Sequence, residues 1–117
     1  MPNQIVITII RKPNGQIQPE GGVRTKAPAD TPIEFKAGGG ATSVAVFFDG
    51  ESPFGDAPEN HHNVKSGTIR KKFNGAEPGK NVYVYRCELT IGGQKVSWPP
   101  PGQTGQVGGE IEIIPVP

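Results

Sequence analysis

Residues 83–90 read YVYRCELT, and this short run sets the reading of the chain. Up to Cys87 the aromatic and β-branched residues alternate with period two. That is the period of a β-strand, whose successive side chains point to opposite faces. Arg86 then points away from the face that Cys87 occupies. Cys87 is the only cysteine of the 117 residues, so it is a packed apolar residue, a free thiol or part of a metal site.

The same rhythm recurs on both sides of this run. Residues 4–11 read as an opening strand with Ile5, Ile7 and Ile9 on one face. "TSVAVFFD" (42–49) places Val44, Val46 and Phe48 on one face and Ala45 and Phe47 on the other. Shorter extended pieces are predicted over 16–18, 23–27, 33–37, 68–73 and 95–98, and a closing strand over 106–114. The 17 Gly and 13 Pro fall between the apolar runs, as in Asn14-Gly15 and Pro78-Gly79, where they act as turn residues. No segment reads as a helix. Seven to nine short strands with regular turn signals predict one all-β domain over 1–117. Its expected form is a Greek-key antiparallel β-sandwich, with an immunoglobulin-like sandwich as the alternative.

One polar stretch breaks the rhythm. "GESPFGDAPENHHNVKSG" (50–67) is rich in turn residues, and loops of that length are uncommon unless they carry function or disorder. It is expected to be the mobile part.

Composition excludes several classes. Lys and Arg number 12 against 11 Asp and Glu, so there is no basic footprint for nucleic acid or an anionic membrane. Arg70-Lys71-Lys72 reads as a solvated strand edge. No apolar run reaches the ~18 residues of a membrane span. "MPNQIVITII" lacks a basic n-region and a cleavage site. The expected compartment is cytoplasmic if Met1 is native and extracytoplasmic if a leader was removed. A single cysteine excludes an internal disulfide framework.

Three stretches together make the chain resemble the cupredoxins, the small blue-copper sandwiches of the plastocyanin kind. "VAVFFDGESPFG" (44–55) is similar to the family's strand and loop around its first histidine ligand. "GKNVYVYRC" (79–87) is similar to the strand that leads to the copper cysteine. "GQVGGEIEI" (105–113) is similar to the closing strand. The resemblance implies a cupredoxin-like fold with copper as cofactor and Cys87 at the thiolate position. A blue-copper site needs two imidazoles and one thiolate, with a weak axial ligand. The first histidine position holds Ser43 or Val44. Glu88, Leu89, Thr90 and Ile91 follow Cys87 where the second histidine belongs. Gln106 lies nearest the axial position, and glutamine can serve there. With two of three strong ligands missing, no copper centre is expected.

His61 and His62 are the only histidines. Adjacent residues of an extended segment point to opposite sides, so both seldom reach one metal. They are candidates for an atypical site, with Cys87 and Gln106, or with Asp56 or Glu59 as oxygen partners. Phe47, Phe48, Tyr83, Tyr85 and Trp98 read as core aromatics. Trp98 precedes Pro99, Pro100 and Pro101, and with Phe54 these form the candidate partner surface. "WPPPGQ" is held between two predicted strands, which does not suit a groove-bound polyproline ligand. Glu110 and Glu112 share the outward face of the last strand.

No Gly-x-Ser-x-Gly elbow or Walker A sequence occurs, so an enzyme is not expected. The expected function is that of a metal-free, non-catalytic binding or assembly module. It would use loops 50–66 and 97–105 toward a protein partner, as a monomer or weak dimer, without cofactor. The alternative is a copper-binding or electron-transfer protein with an atypical site of Cys87 and the His61/His62 loop.

Overall fold

The computed structural model describes residues 4–13, 15, 17–48, 50–98 and 109–116. Among them nine strands follow in chain order: β1 (Ile5–Arg11), β2 (Ile17–Pro19), β3 (Arg24–Ala27), β4 (Pro32–Ala37), β5 (Ser43–Phe48), β6 (Ser66–Thr68), β7 (Val82–Ile91), β8 (Gln94–Trp98) and β9 (Gly109–Ile113). One sheet has the order β2-β1-β4-β6. The other has the order β3-β9-β7-β5, with β8 also paired to β7. Tyr85 lies between Phe48 of β5 and Gly109 of β9, while Cys87 lies between Val46 of β5 and Trp98 of β8. Thus β5 runs along one edge of β7, and β8 and β9 share its other edge. The two sheets pack as an all-β sandwich.

The expected alternation is what builds the core. Ile7 and Ile9 of β1, Val44, Val46 and Phe48 of β5, Cys87 and Leu89 of β7, and Ile111 and Ile113 of β9 are all buried. Their partners one position along face outward, because the strand period is two. Tyr85, 1% exposed, is the centre of this layer. Its ring makes edge-on contacts with Phe35, Phe48 and Trp98, at centroid distances of 5.4, 5.8 and 6.5 Å. Such tilted pairs satisfy the ring quadrupoles. The Tyr85 hydroxyl is buried and has no hydrogen-bond partner among the described residues. Burying an unsatisfied hydroxyl is costly, so Tyr85→Phe is expected to be neutral or to stabilise by up to about 1 kcal/mol. Urea unfolding of the two proteins measures this, and a loss above about 1 kcal/mol would show that the hydroxyl is bonded.

Strand direction departs from expectation in two places. β1 and β4 are parallel, and so are β3 and β9; the sheets are mixed rather than purely antiparallel. The cause is a strand divided between sheets. β2 pairs in one sheet and β3 in the other. Between them Gly21 and Gly22 take φ of 88° and 129°, values that side chains other than glycine rarely tolerate. A second switch occurs on the opposite flank. Val64 bridges to Val46 of β5, the Lys65 carbonyl accepts the Phe35 N–H at 2.8 Å, and Ser66 pairs with Glu34 of β4.

The sixth strand also differs from its predicted span. Ser66–Thr68 forms it, not 68–73. Ile69 is buried beyond it, and the N–H groups of Arg70 and Lys71 both donate to the Pro53 carbonyl. Those donors are taken by the preceding loop and cannot extend a ladder. The 50–67 stretch itself is anchored. It contains a short 3-10 turn at Pro58–Asn60, and Ser52, Phe54 and Val64 are buried. A mobile loop is therefore not what these residues form. A second 3-10 turn covers Pro78–Asn81.

Candidate functional site

The position that decides copper chemistry is Cys87, in the middle of β7. It is 2% exposed, with Val46 and Trp98 as its cross-strand neighbours. Val44, Leu89 and Trp98 close the surroundings with apolar surface. Burial pushes the thiol from its ordinary 9.0 up to about 12, because a thiolate there would lose its hydration. Arg86 faces the other way, with its guanidinium carbon 5.5 Å from the centre of the Phe47 ring, and does not offset that cost. At neutral pH Cys87 is a small apolar residue carrying a proton.

This burial has a pH signature. The folded-state pKa lies above that of the unfolded chain, so the folded protein holds the proton longer. Stability is complete below about pH 9 and falls as pH rises toward 12. Burial pushes Tyr85 in the same direction. We expect denaturant midpoints to drop over this range, and Cys87→Ala to show a shallower drop. Equal slopes for the two proteins would contradict the burial argument.

The other candidate ligands do not converge on Cys87. The backbone of residues 61–64 runs along the far edge of β5. The His61 carbonyl accepts the Phe48 N–H at 2.8 Å, and Val64 bridges to Val46. Val46 therefore separates Val64 from Cys87, leaving two strand spacings of about 10 Å between their backbones. His61 is half-buried and His62 exposed. Asp56 is held by Lys71 at 3.0 Å. Among the described residues no three His, Cys, Asp or Glu side chains come together as a metal site would require. Gln106 lies outside the described residues.

The candidate partner surface changes as well. Phe54 and Trp98 are 4% and 8% exposed. Phe54 is packed edge-on against Phe48 and Phe35, at 5.6 and 6.4 Å, and the Ser52 hydroxyl accepts its N–H at 3.1 Å. Neither ring is offered to a partner; both belong to the core, because a small sandwich needs its aromatics to fill the inter-sheet space. Pro99, Pro100 and Pro101 lie outside the described residues. Glu110 and Glu112 face outward as expected, each hydrogen-bonded to the Arg24 guanidinium, at 3.1 and 3.2 Å.

What the strands do create is a polar groove on the outer face of the β5–β7–β8 region. It has a volume of about 360 Å³ and is lined by Ser43, Ala45, Phe47, Asn63, Lys65, Glu88, Thr90 and Lys95. The small side chains of Ser43 and Ala45 lie opposite Thr90 and Glu88 in the register, which leaves a depression between taller neighbours. Lys65 stands at its rim, with Nζ donating to the Val44 carbonyl. A second groove of about 330 Å³ runs past the other side of Lys65, between Lys36, Ala37 and Thr42. Lys95 pairs loosely with Glu88 at 3.7 Å. Such a surface presents ammonium, hydroxyl and carboxylate groups in one depression.

Sequence reading missed this groove. Its signal was the outward set of β5, where Ser43 and Ala45 are small, but locating the charged rim needed the register with β7 and β8. No protein-family model matches the chain, and no curated protein matches it.

Proposed function

We propose that this protein is a non-catalytic binding module of cupredoxin-like arrangement, without a type 1 copper centre. The observation that carries the reading is the setting of Cys87: a protonated, buried thiol between Val46 and Trp98, with no imidazole at the positions that match the family's two histidines. The cupredoxin likeness is supported by the strand order β9-β7-β5, in which parts of all three motif stretches lie on neighbouring strands, with Val46 directly opposite Cys87. The binding surface we assign is the groove at Lys65. It draws Asn63 and Lys65 from the 50–66 segment and replaces the two loop tips as the favoured surface. Ligand sites are concave and fix orientation with a few polar groups, and this is such a concavity.

Two measurements test the reading. Addition of Cu(II) should give no thiolate-to-copper charge-transfer colour. A blue colour abolished by Cys87→Ser would establish copper handling instead. Amide chemical-shift mapping against a panel of acidic peptides and oligosaccharides should move the resonances of Ser43, Asn63, Lys65 and Lys95, and Lys65→Glu should remove the effect. Shifts confined to other surfaces would refute the groove.

A further inference from the structure

Asn74 is followed by Gly75. In an Asn-Gly pair no side chain shields the backbone nitrogen that follows the carboxamide. That nitrogen can therefore reach the Asn side-chain carbonyl carbon more easily than in any other pairing. The fold surrounds this reactive pair with a lock. Asn74 Oδ1 accepts the N–H groups of Ala76 and Glu77 at 3.0 and 3.1 Å. The main-chain N–H of Asn74 donates to Asn81 Oδ1 at 2.7 Å, and its carbonyl accepts Asn81 Nδ2 at 2.9 Å. Asn81 is 3% exposed, so its carboxamide is fixed by burial and holds the turn against the start of β7.

We propose that Asn74 is a site of spontaneous deamidation that the folded chain keeps closed and local unfolding of the 73–81 turn opens. In the closed form the carboxamide oxygen is engaged twice, and the main chain on both sides of Asn74 is clamped. The side chain cannot rotate toward the Gly75 nitrogen without losing those bonds. Once the turn opens, Gly75 N–H gives its proton to a solvent base, and the nitrogen attacks Asn74 Cγ. The N–Cγ bond forms, the Cγ–Nδ2 bond breaks, and Nδ2 leaves as ammonia carrying a proton. Water then adds across one carbonyl of the cyclic imide and opens it to aspartate or isoaspartate. No electrons change hands, and water is the only co-reactant. The aspartate keeps an oxygen acceptor for Ala76 and Glu77. The isoaspartate routes the main chain through the former side chain, so the two-point pairing with Asn81 no longer fits.

Asn81 is thus the residue that restrains this chemistry, and Gly75 the one that enables it. Gly75 is not held at positive φ, and a Cβ there would meet only the Phe73 ring edge at 3.4 Å, so Gly75→Ala suits the fold. The test follows peptide 73–80 by mass spectrometry after incubation in mildly alkaline buffer. Conversion at Asn74 should be about 10- to 100-fold faster in denaturing urea than in the native chain, reflecting the hydrogen bonds that must open. Asn81→Ala, checked for folding by near-ultraviolet circular dichroism, should speed native conversion about tenfold or more. Gly75→Ala should slow conversion in both states. Within the denatured chain, Asn14-Gly15 supplies a second Asn-Gly pair for comparison and should convert at a rate of the same order. Equal rates in native and denatured protein would overturn the proposal, as would an unchanged native rate in folded Asn81→Ala. If Asn81→Ala does not fold, the native-against-denatured comparison still decides.

Discussion

Gly109→Ala is expected to cost about 3 kcal/mol or more and to leave much of the chain unfolded. A Cβ at position 109 would sit 2.1 Å from Tyr85 Cζ and 2.4 Å from its Cε2 and hydroxyl oxygen. Overlap of that size cannot be relieved by a small shift. Gly109 lies directly opposite Tyr85 in the β7–β9 ladder, so the ring crosses over its backbone, an aromatic covering a strand glycine. Phe35, Phe48 and Trp98 hold the ring where it is, which removes the rotamers that could yield. The reciprocal change is diagnostic. Tyr85→Leu alone leaves a cavity, while the double variant should lose much less than the sum of the single losses. Urea-unfolding free energies of the four proteins give the coupling directly, and additive losses would show that the clash is not with Tyr85. Against a typical domain stability of about 5–15 kcal/mol, the single change removes a large share.

Phe54→Ala is the second large effect, at about 3–5 kcal/mol. Phe54 is the apolar anchor of an otherwise polar stretch. Its ring fills the space between Phe35 and Phe48, and a Cβ on Gly67 would stand 2.6 Å from its Cγ. The 50–66 segment is thereby fastened to β6 as well as to the core. Losing the ring removes contacts with two sheets at once and should release the segment. Pulsed hydrogen exchange should show faster exchange at the Phe48, Arg70 and Lys71 amides, which this segment ties down. Protection unchanged in a folded Phe54→Ala protein would contradict the anchoring role. Gly67→Ala should produce a similar release by pushing the ring out rather than deleting it.

The strands that alternate strictly were legible from sequence. β1, β5 and β7 appear where the period-two rhythm of isoleucine, valine and tyrosine places them, with the expected faces inward. Pairing direction was not legible, because it depends on partners far apart: Arg24 stands beside Glu110, 86 positions away. The 50–67 stretch misled because its composition is dominated by turn and charged residues. Its structure is decided by two buried apolar residues, Phe54 and Val64, and by the Pro53 carbonyl that takes the Arg70 and Lys71 donors. The span of β6 slipped for a related reason. Residues 69–73 have strand-like composition, but the donors of Arg70 and Lys71 are claimed by Pro53, and local propensity yields to tertiary hydrogen bonding. Of the candidate site, the placement of Cys87 was readable from its strand rhythm. The groove was not, since it is a property of three strands in register.

The parallel pairing of β3 with β9 also sets an order of events during synthesis. β3 has no sheet partner among the described strands except β9, and β9 is translated after all the others. β3 must therefore wait, solvated and unpaired, until β9 has emerged from the ribosome. Late closure through such distant contacts slows folding. It also exposes the nascent edge of β7 to wrong partners in the interval. Arg24 and Lys26, two of the four residues of β3, keep the waiting strand charged, which is a common defence of an unpaired strand.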